Sequence, residues 1–356
     1  MLALDVKIQN EKGLEDTMHI VAKAVPRNEF IQKMFKTPLT FKKELEFYRT
    51  VVPTLREFQK DHALDVMDFF PEFYGGRLGQ GLNPDLFDND AVILLENLKL
   101  CFDLDGAKFI LKSLAAFHAI PLALKFKKPE VFKKSVLPFI NNVKAFDSLG
   151  KEIVYTVIDG IVKLAEENKK CVPLLSGIKS GMERSYYFTQ NPSPPREPFA
   201  TLIHCDLWVN NTMVKMDENK VIGNKFVDFQ LTEYGSPARD LIFFVFDSIQ
   251  NNVVVNYFDD LVEFYHQNFT DILCKFNIDI GPFSLKNFRE EIDITINEHV
   301  FFQCFIMLKP IFAEDDSIKE IDNMSEDDMT DDGVISQKFR EKLWMITTEF
   351  ANRHWL

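Results

Sequence analysis

The sequence predicts an α+β protein of two lobes, on three observations. Its 356 residues are more than one hydrophobic core ordinarily organises. The first 98 residues alternate apolar and polar side chains with a period of two in several places, the pattern of strands. Beyond them, apolar residues recur at three- and four-residue intervals, the pattern of amphipathic helices. The expected division is therefore a β-rich N-terminal lobe over residues 1–98 and a mainly helical C-terminal lobe over 99–356.

Taken in order, "ALDVKIQ" alternates and reads as a strand, "NEKG" as a turn holding Gly13, and "MHIVAKAV" as a second strand. Thr40 is placed as the N-cap of a helix, "TFKKELEFYRTVV", with Phe41, Leu45, Tyr48 and Val52 on one face. "VMDFFPEFYGG" and "DAVILLENL" supply more strand, so the first lobe is expected to be mostly β with one embedded helix. "YGGRLGQG" is glycine-rich, but no helix follows it, and it reads as a turn-rich connector. "GAKFILKSLAAFHAI" is an amphipathic helix expected to close at Pro121, with His118 facing other helices. Helices are expected around 130–145 and 150–167, then a proline-rich loop, "QNPSPPREP". Short strands follow in "TLIH", "NTMVKMD" and "KVIGNKFVDF". After Pro237 the chain reads as helices near 238–250, 253–274, 284–312 and 335–352, the last two separated by an acidic stretch that reads as a solvated insertion.

Composition narrows the function. A formal charge of −13 offers no broad cationic face for phosphodiesters, so a nucleic-acid partner is not expected. No uninterrupted apolar run suggests a membrane span, and no membrane partner is expected. Five scattered cysteines, without paired spacing or a signal-peptide pattern, fit a reducing, cytoplasmic setting.

The chemistry is concentrated in "IHCDLWVNNTM". An aspartate five residues before an asparagine, on a loop between short strands, can place both groups on one phosphate. Asp206 would take or orient the proton of an attacking hydroxyl, Asn211 would bind Mg²⁺, and the His204 ring would anchor the loop. Asp228, at the end of "KFVDF", is a second hard oxygen donor for Mg²⁺, with Phe229 turned inward. In the first lobe, Lys23 stands on a strand among apolar neighbours, where a buried ammonium needs a partner. Glu44 on the following helix is that partner, and the pair would aim Lys23 at the α- and β-phosphates of ATP. Backbone groups near Glu96 and Leu98 would meet the adenine ring. Taken singly, each residue has an ordinary structural role; their order along the chain points to a phosphotransferase scaffold.

The same segments resemble a known family. "VAKAVPRNE", "FKKELEFYRTVVP", "LLENLKL", "LAAFHA", "IHCDLWVNNTM", "VDFQLTEYGSPARDL" and the closing "ANRHWL" are similar to the ecdysteroid kinase-like proteins of insects. These are a branch of the choline kinase and aminoglycoside phosphotransferase superfamily with a protein-kinase-like fold. The resemblance implies that Asp206 is the catalytic base, that Asn211 and Asp228 hold Mg²⁺, and that Lys23 with Glu44 positions ATP. It implies an acceptor hydroxyl on a small, fairly apolar molecule such as an ecdysteroid. Asp240 would tie its helix to the catalytic loop.

Three departures stand out. Family members usually open with a further strand and a phosphate-covering loop, whereas here the sequence begins at "MLALDVKIQ", so the N-terminal lobe is expected to lack both. Cys205 occupies a position where glycine is usual. Gln230 replaces the glycine of D-F-G, and a residue with a side chain turns its backbone less freely, so Asp228 is expected to stay facing the cleft. The expected activity is an ATP- and Mg²⁺-dependent kinase of small alcohols. The alternative is a catalytically silent kinase-fold binding protein. A protein kinase is disfavoured, because "GSPARDL" follows D-F-Q within a few residues and leaves little room for an activation segment.

Overall fold

A computed structural model of the chain describes residues 2–9, 15–64, 66, 69–81, 86–96, 102–140, 150–217, 220–312, 325 and 335–356. The "NEKG" turn with Gly13, Leu98, the expected boundary at residue 98 and nearly all of the acidic stretch lie outside these residues.

Four antiparallel strands form the N-terminal sheet, in the order β1-β2-β4-β3. They are β1 (Leu2–Gln9), β2 (Glu15–Ala24), β3 (Phe73–Arg77) and β4 (Val92–Glu96). Lys23 pairs with Ile93 and Ile93 with Gly76, so one row of the sheet presents these three on a common face. Helix α2 (Thr37–Glu46) lies against that face. A Cβ on Gly76 would come within 2.6 Å of Leu45 Cδ1, so the absence of a side chain there is what lets the helix approach. The glycine-rich segment is therefore partly strand, because Gly76 and Arg77 pair with β4.

The region is more helical than the sequence suggests. Besides α2 it holds α1 (Glu29–Met34) and α3 (Val52–Asp61). Thr40 is not an N-cap. The helix begins three residues earlier, behind a left-handed Lys36 and with Pro38 in its first turn, and the Thr40 hydroxyl bonds back to the Thr37 carbonyl. Between α2 and α3 the ladder widens into a π turn over Phe47–Val51, immediately before Pro53, which has no N–H to give it.

The remaining described chain is mainly helical: α4 (Leu104–Lys127), α5 (Pro129–Ser135), α6 (Lys151–Glu166), α7 (Leu175–Gln190), α8 (Pro237–Ser248), α9 (Asn251–Lys275), α10 (Leu285–Thr295), α11 (Phe301–Ile306), α12 (Leu308–Phe312) and α13 (Gln337–Asn352). Helix α4 does not close at Pro121 but runs through it to Lys127. The proline removes one ladder bond, and the Thr201 hydroxyl donates to the nearby His118 carbonyl at 2.9 Å. Alone among the described helices, α4 is long and apolar enough by length and composition to cross a membrane, although charged and polar residues interrupt it; most of it is buried in the protein. Its Ile110, Leu111, Leu114 and Phe117 are fully enclosed, as are Leu261, Tyr265 and Phe269 of α9, so α4 serves as a core helix.

Between α7 and α8 lie two short antiparallel pairs that carry the site. β5 (Thr201–Ile203) pairs with β8 (Glu233–Gly235), and β6 (Thr212–Asp217) pairs with β7 (Lys220–Phe226). The loop containing Asp206 leaves β5 and enters β6, while the turn containing Asp228 leaves β7 and enters β8. Both loops therefore emerge at one end of the same short strands. A sheet bearing a lysine, a helix packed on it and a loop-borne aspartate across the gap make an α+β, two-lobed, protein-kinase-like arrangement.

Candidate active site

Lys23 is the centre of the cleft. Its Nζ lies 2.6 Å from Glu44 Oε2 and 2.7 Å from Asp228 Oδ1, joining β2, α2 and the turn after β7. Burial opposes its charge, but Asp228 and Glu44 more than compensate and hold the ammonium above its ordinary pKa. Glu44 is fully buried, and burial pushes its carboxyl up to about 7 against the pull of Lys23. Asp228 has φ 68°, a left-handed backbone conformation, and its carboxylate faces Lys23.

The loop that carries Asp206 is fixed by hydrogen bonds. His204 donates from Nε2 to the Val227 carbonyl at 2.9 Å, and its Nδ1 accepts from the Asp206 backbone N–H at 3.3 Å. These partners select the tautomer protonated at Nε2, and burial lowers the ring's pKa, so it stays neutral. The loop's backbone is held from below by Asp240 of α8, which accepts from the His204 N–H at 2.5 Å and from the Cys205 N–H at 2.8 Å. His118 of α4 donates to the same carboxylate at 3.0 Å and meets the Tyr265 hydroxyl of α9 at 2.6 Å. Burial opposes the Asp240 charge, yet the His118 hydrogen bond and the other donors hold its pKa below the usual carboxylate value.

Asn211 donates from Nδ2 to the Asp206 carbonyl at 2.8 Å and to its Oδ2 at 2.9 Å. With Nδ2 so engaged, Oδ1 is the end of the amide offered to a cation. The Val227 N–H donates to the Asn211 carbonyl at 3.0 Å, so the Asp206 loop and the Asp228 turn are laced together. Burial, then the charge of Asp228, pushes the Asp206 carboxyl up to about 8. Its ionised form is the one that can accept a proton from an alcohol as it attacks.

Phe229 joins the parts. Its buried ring stacks on Phe47 at 4.4 Å and meets His204 at 5.0 Å, Phe70 at 5.5 Å and Phe117 of α4 at 5.9 Å. The π turn that continues α2, helix α4 and the Asp206 loop therefore converge on one side chain.

The donor set fits Mg²⁺. This ion favours one or two carboxylates completed by substrate phosphates and water, and Asp228 with Asn211 Oδ1 offers that number of hard oxygens. Among the described residues no cluster of three or more His, Cys, Asp or Glu forms an all-protein metal cage. The expected adenine contacts are only partly described. Glu96 ends β4, paired with Ile20, and Leu98 lies outside the described residues.

Sequence reasoning missed Lys43, whose ammonium donates to the Thr232 carbonyl, and Gln303 of α11, which donates to the Cys205 carbonyl at 2.7 Å. No periodicity marks either one. Lys43 falls outside the apolar stripe used to place the helix, yet it is buried because α2 is covered on more than one side.

Comparison with known proteins agrees with this geometry at the level of family. Among solved structures, the Plasmodium vivax ethanolamine kinase is 12% identical, with 100% of this chain and 82% of that chain covered and a TM-score of 0.40. A spectinomycin phosphotransferase in complex with ADP and spectinomycin is 11% identical, covering 96% and 93%, with a TM-score of 0.40. An aminoglycoside phosphotransferase from Alicyclobacillus acidocaldarius is 11% identical, covering 99% and 93%, with a TM-score of 0.39. No protein with a curated description is significantly similar in sequence. The sequence profile of the Ecdysteroid kinase-like family matches residues 1–278, short of the closing "ANRHWL"; the chain belongs to that family.

Proposed function

We propose that the protein is an ATP- and Mg²⁺-dependent kinase that transfers the γ-phosphate to an alcohol hydroxyl of a small molecule. The observation that carries this reading is the placement of Lys23 between Glu44 and Asp228, across from the linked pair Asp206 and Asn211. Lys23 would turn its ammonium to the α- and β-phosphates, with Glu44 keeping it in place. Asp206 would receive the acceptor's hydroxyl proton while Asn211 holds its carboxylate in orientation. Asp228 and Asn211 would hold the magnesium ion, which supplies charge neutralisation at the phosphates when bound. Phosphate passes directly between two oxygens, so positioning and electrostatics account for the rate.

Family membership favours a small, apolar, hydroxylated acceptor such as an ecdysteroid. The four described cysteines carry free thiols, which suits the reducing cytoplasm proposed as its location. The test is ATP-dependent phosphorylation across a panel of hydroxylated steroids and plant alcohols, by wild type and by Asp206→Ala. Product formed by wild type alone supports the reading; equal product from both removes Asp206 from its role.

A further inference from the structure

Helix α2 carries a second buried charge one residue before Glu44. Lys43 is 8% exposed, and its ammonium donates to the backbone carbonyl of Thr232, 189 residues along the chain. Thr232 closes the short turn that Asp228 opens, and its hydroxyl donates back to the Phe229 carbonyl at 3.1 Å, bracing that turn internally. The same turn meets α2 and its continuation at two further points. The Lys23 bridge joins Asp228 to Glu44, and the Phe229 ring stacks on Phe47.

We propose that Lys43 is a positioning residue, which locks α2 to the Asp228 turn so that Glu44, Lys23 and Asp228 are held in register without a switching segment. The assignment rests on geometry alone, while its expected effect on turnover rests on the kinase reading above. Three contacts with different chemistry act on five residues, 228–232. The ion bridge fixes the beginning, the ring fixes the middle and Lys43 fixes the end. Without the last contact the turn is anchored only at its start and middle, and α2 can tilt about the Phe47–Phe229 stack. Glu44 sits on the part of the helix that such a tilt would displace.

The choice of a lysine also points to positioning. Burial lowers its pKa to about 8, so keeping the ammonium there opposes folding. The charge-assisted hydrogen bond to Thr232 offsets a desolvation cost of the same order. A methionine of similar length would fill the space without burying a charge, though it would take the Lys43 donor from the Thr232 carbonyl. Lys43 therefore does little for net stability and much for the relative placement of two segments.

The experiment compares wild type, Lys43→Met, Lys43→Arg, Glu44→Gln and the Lys43→Met/Glu44→Gln double variant. Four quantities are measured: the denaturant midpoint, Mg·ATP affinity, ADP release with water or a screened alcohol as acceptor, and amide hydrogen exchange over residues 37–46 and 229–232. Lys43→Met should keep or raise the midpoint, change nucleotide affinity by less than about threefold and lower turnover by about tenfold to a hundredfold. Lys43→Arg should restore part of the loss. The double variant should be no slower than Glu44→Gln alone, since Lys43 acts through Glu44. Full turnover in Lys43→Met overturns the assignment, as do additive losses in the double variant. So does a lower midpoint that tracks the turnover loss and is not relieved by arginine. Should wild type neither bind nor turn over nucleotide, the kinase reading fails separately and exchange decides. Faster exchange in both segments of Lys43→Met supports the lock, and unchanged exchange overturns it.

Discussion

On the sheet side of the cleft, one ammonium sits between two carboxylates, and two of the three side chains retain some solvent contact, with Lys23 at 15% and Asp228 at 17%. On the loop side, Asp240 is wholly buried and holds two backbone N–H groups and a histidine ring. The first assembly is a partly exposed ion bridge, which on the proposed kinase reading the nucleotide's phosphates and a cation would reach and reorganise. The second is a fully buried hydrogen-bonded frame with no exposed side chain. On the kinase reading, catalysis by positioning would need both: a part that engages the nucleotide and a part that holds its place when it arrives.

The sharpest way to separate the two is Asp206→Asn. Asp206 belongs to the loop but faces the cleft, and asparagine keeps its shape while removing its capacity to take a proton. Turnover should fall roughly 10²–10⁴-fold. Mg·ATP affinity, measured by titration, should stay close to that of wild type. An affinity loss as large as the turnover loss would move Asp206 from proton acceptance to nucleotide binding.

Lys23→Met breaks the bridge from its centre. Glu44 and Asp228 then face one another with no cation between them, and removing one partner of a buried ion pair costs about 3–5 kcal/mol. The denaturant midpoint of the nucleotide-free protein should fall accordingly. If the midpoint is unchanged, the bridge is not part of the folded state in solution, and the comparison between its two sides loses one term.

How much of this the sequence discloses differs between the two assemblies. The ion bridge was legible, because a lysine in an apolar strand demands a partner and Glu44 is the acid on the next helix. The loop was legible through the spacing of Asp206 and Asn211. What was not legible depends on contacts that leave no periodic trace. Lys43 reaches a carbonyl, and any residue supplies a carbonyl. The bond from Gln303 to the Cys205 carbonyl is of the same kind. Helix ends failed for a related reason. Pro121 read as a break, yet α4 runs through it to Lys127 among fully buried neighbours, and tertiary packing of that kind cannot be read from the local sequence. Helix α7 went unassigned because its sequence is polar and glycine-bearing, and its Gly181 serves to admit the Phe301 ring, whose atoms lie within 2.9 Å of where a Cβ would stand.

Asp240→Asn tests the frame. The substitution leaves an amide beneath the loop, with one oxygen to accept where the carboxylate used two, and stability should fall by about 2–3 kcal/mol at neutral pH. The pH dependence carries the sign. The Asp240 pKa in the folded protein lies below the unfolded value, so its contribution is fully present above the unfolded pKa and is lost as pH falls through the folded one. Wild type should therefore lose stability below about pH 4, and Asp240→Asn should show a flatter acid limb. Parallel curves would mean that Asp240 holds the loop no better charged than neutral.

The smallest effect is expected at Cys205, which sits in the frame yet carries strain. Its φ is 67°, a left-handed conformation that costs a residue with a Cβ roughly 1–2 kcal/mol relative to glycine. The conformation is imposed from both sides, since Asp240 takes the Cys205 N–H and Gln303 donates to its carbonyl. Replacing the buried thiol by alanine loses packing and keeps the strain, while replacing it by glycine loses slightly more packing and releases the strain. Cys205→Gly should therefore be more stable than Cys205→Ala by about 1 kcal/mol, read from denaturant midpoints, with turnover the same in both. If alanine proves the more stable, the two hydrogen bonds are not holding the backbone left-handed in solution. The frame would then be looser than the buried carboxylate beneath it implies.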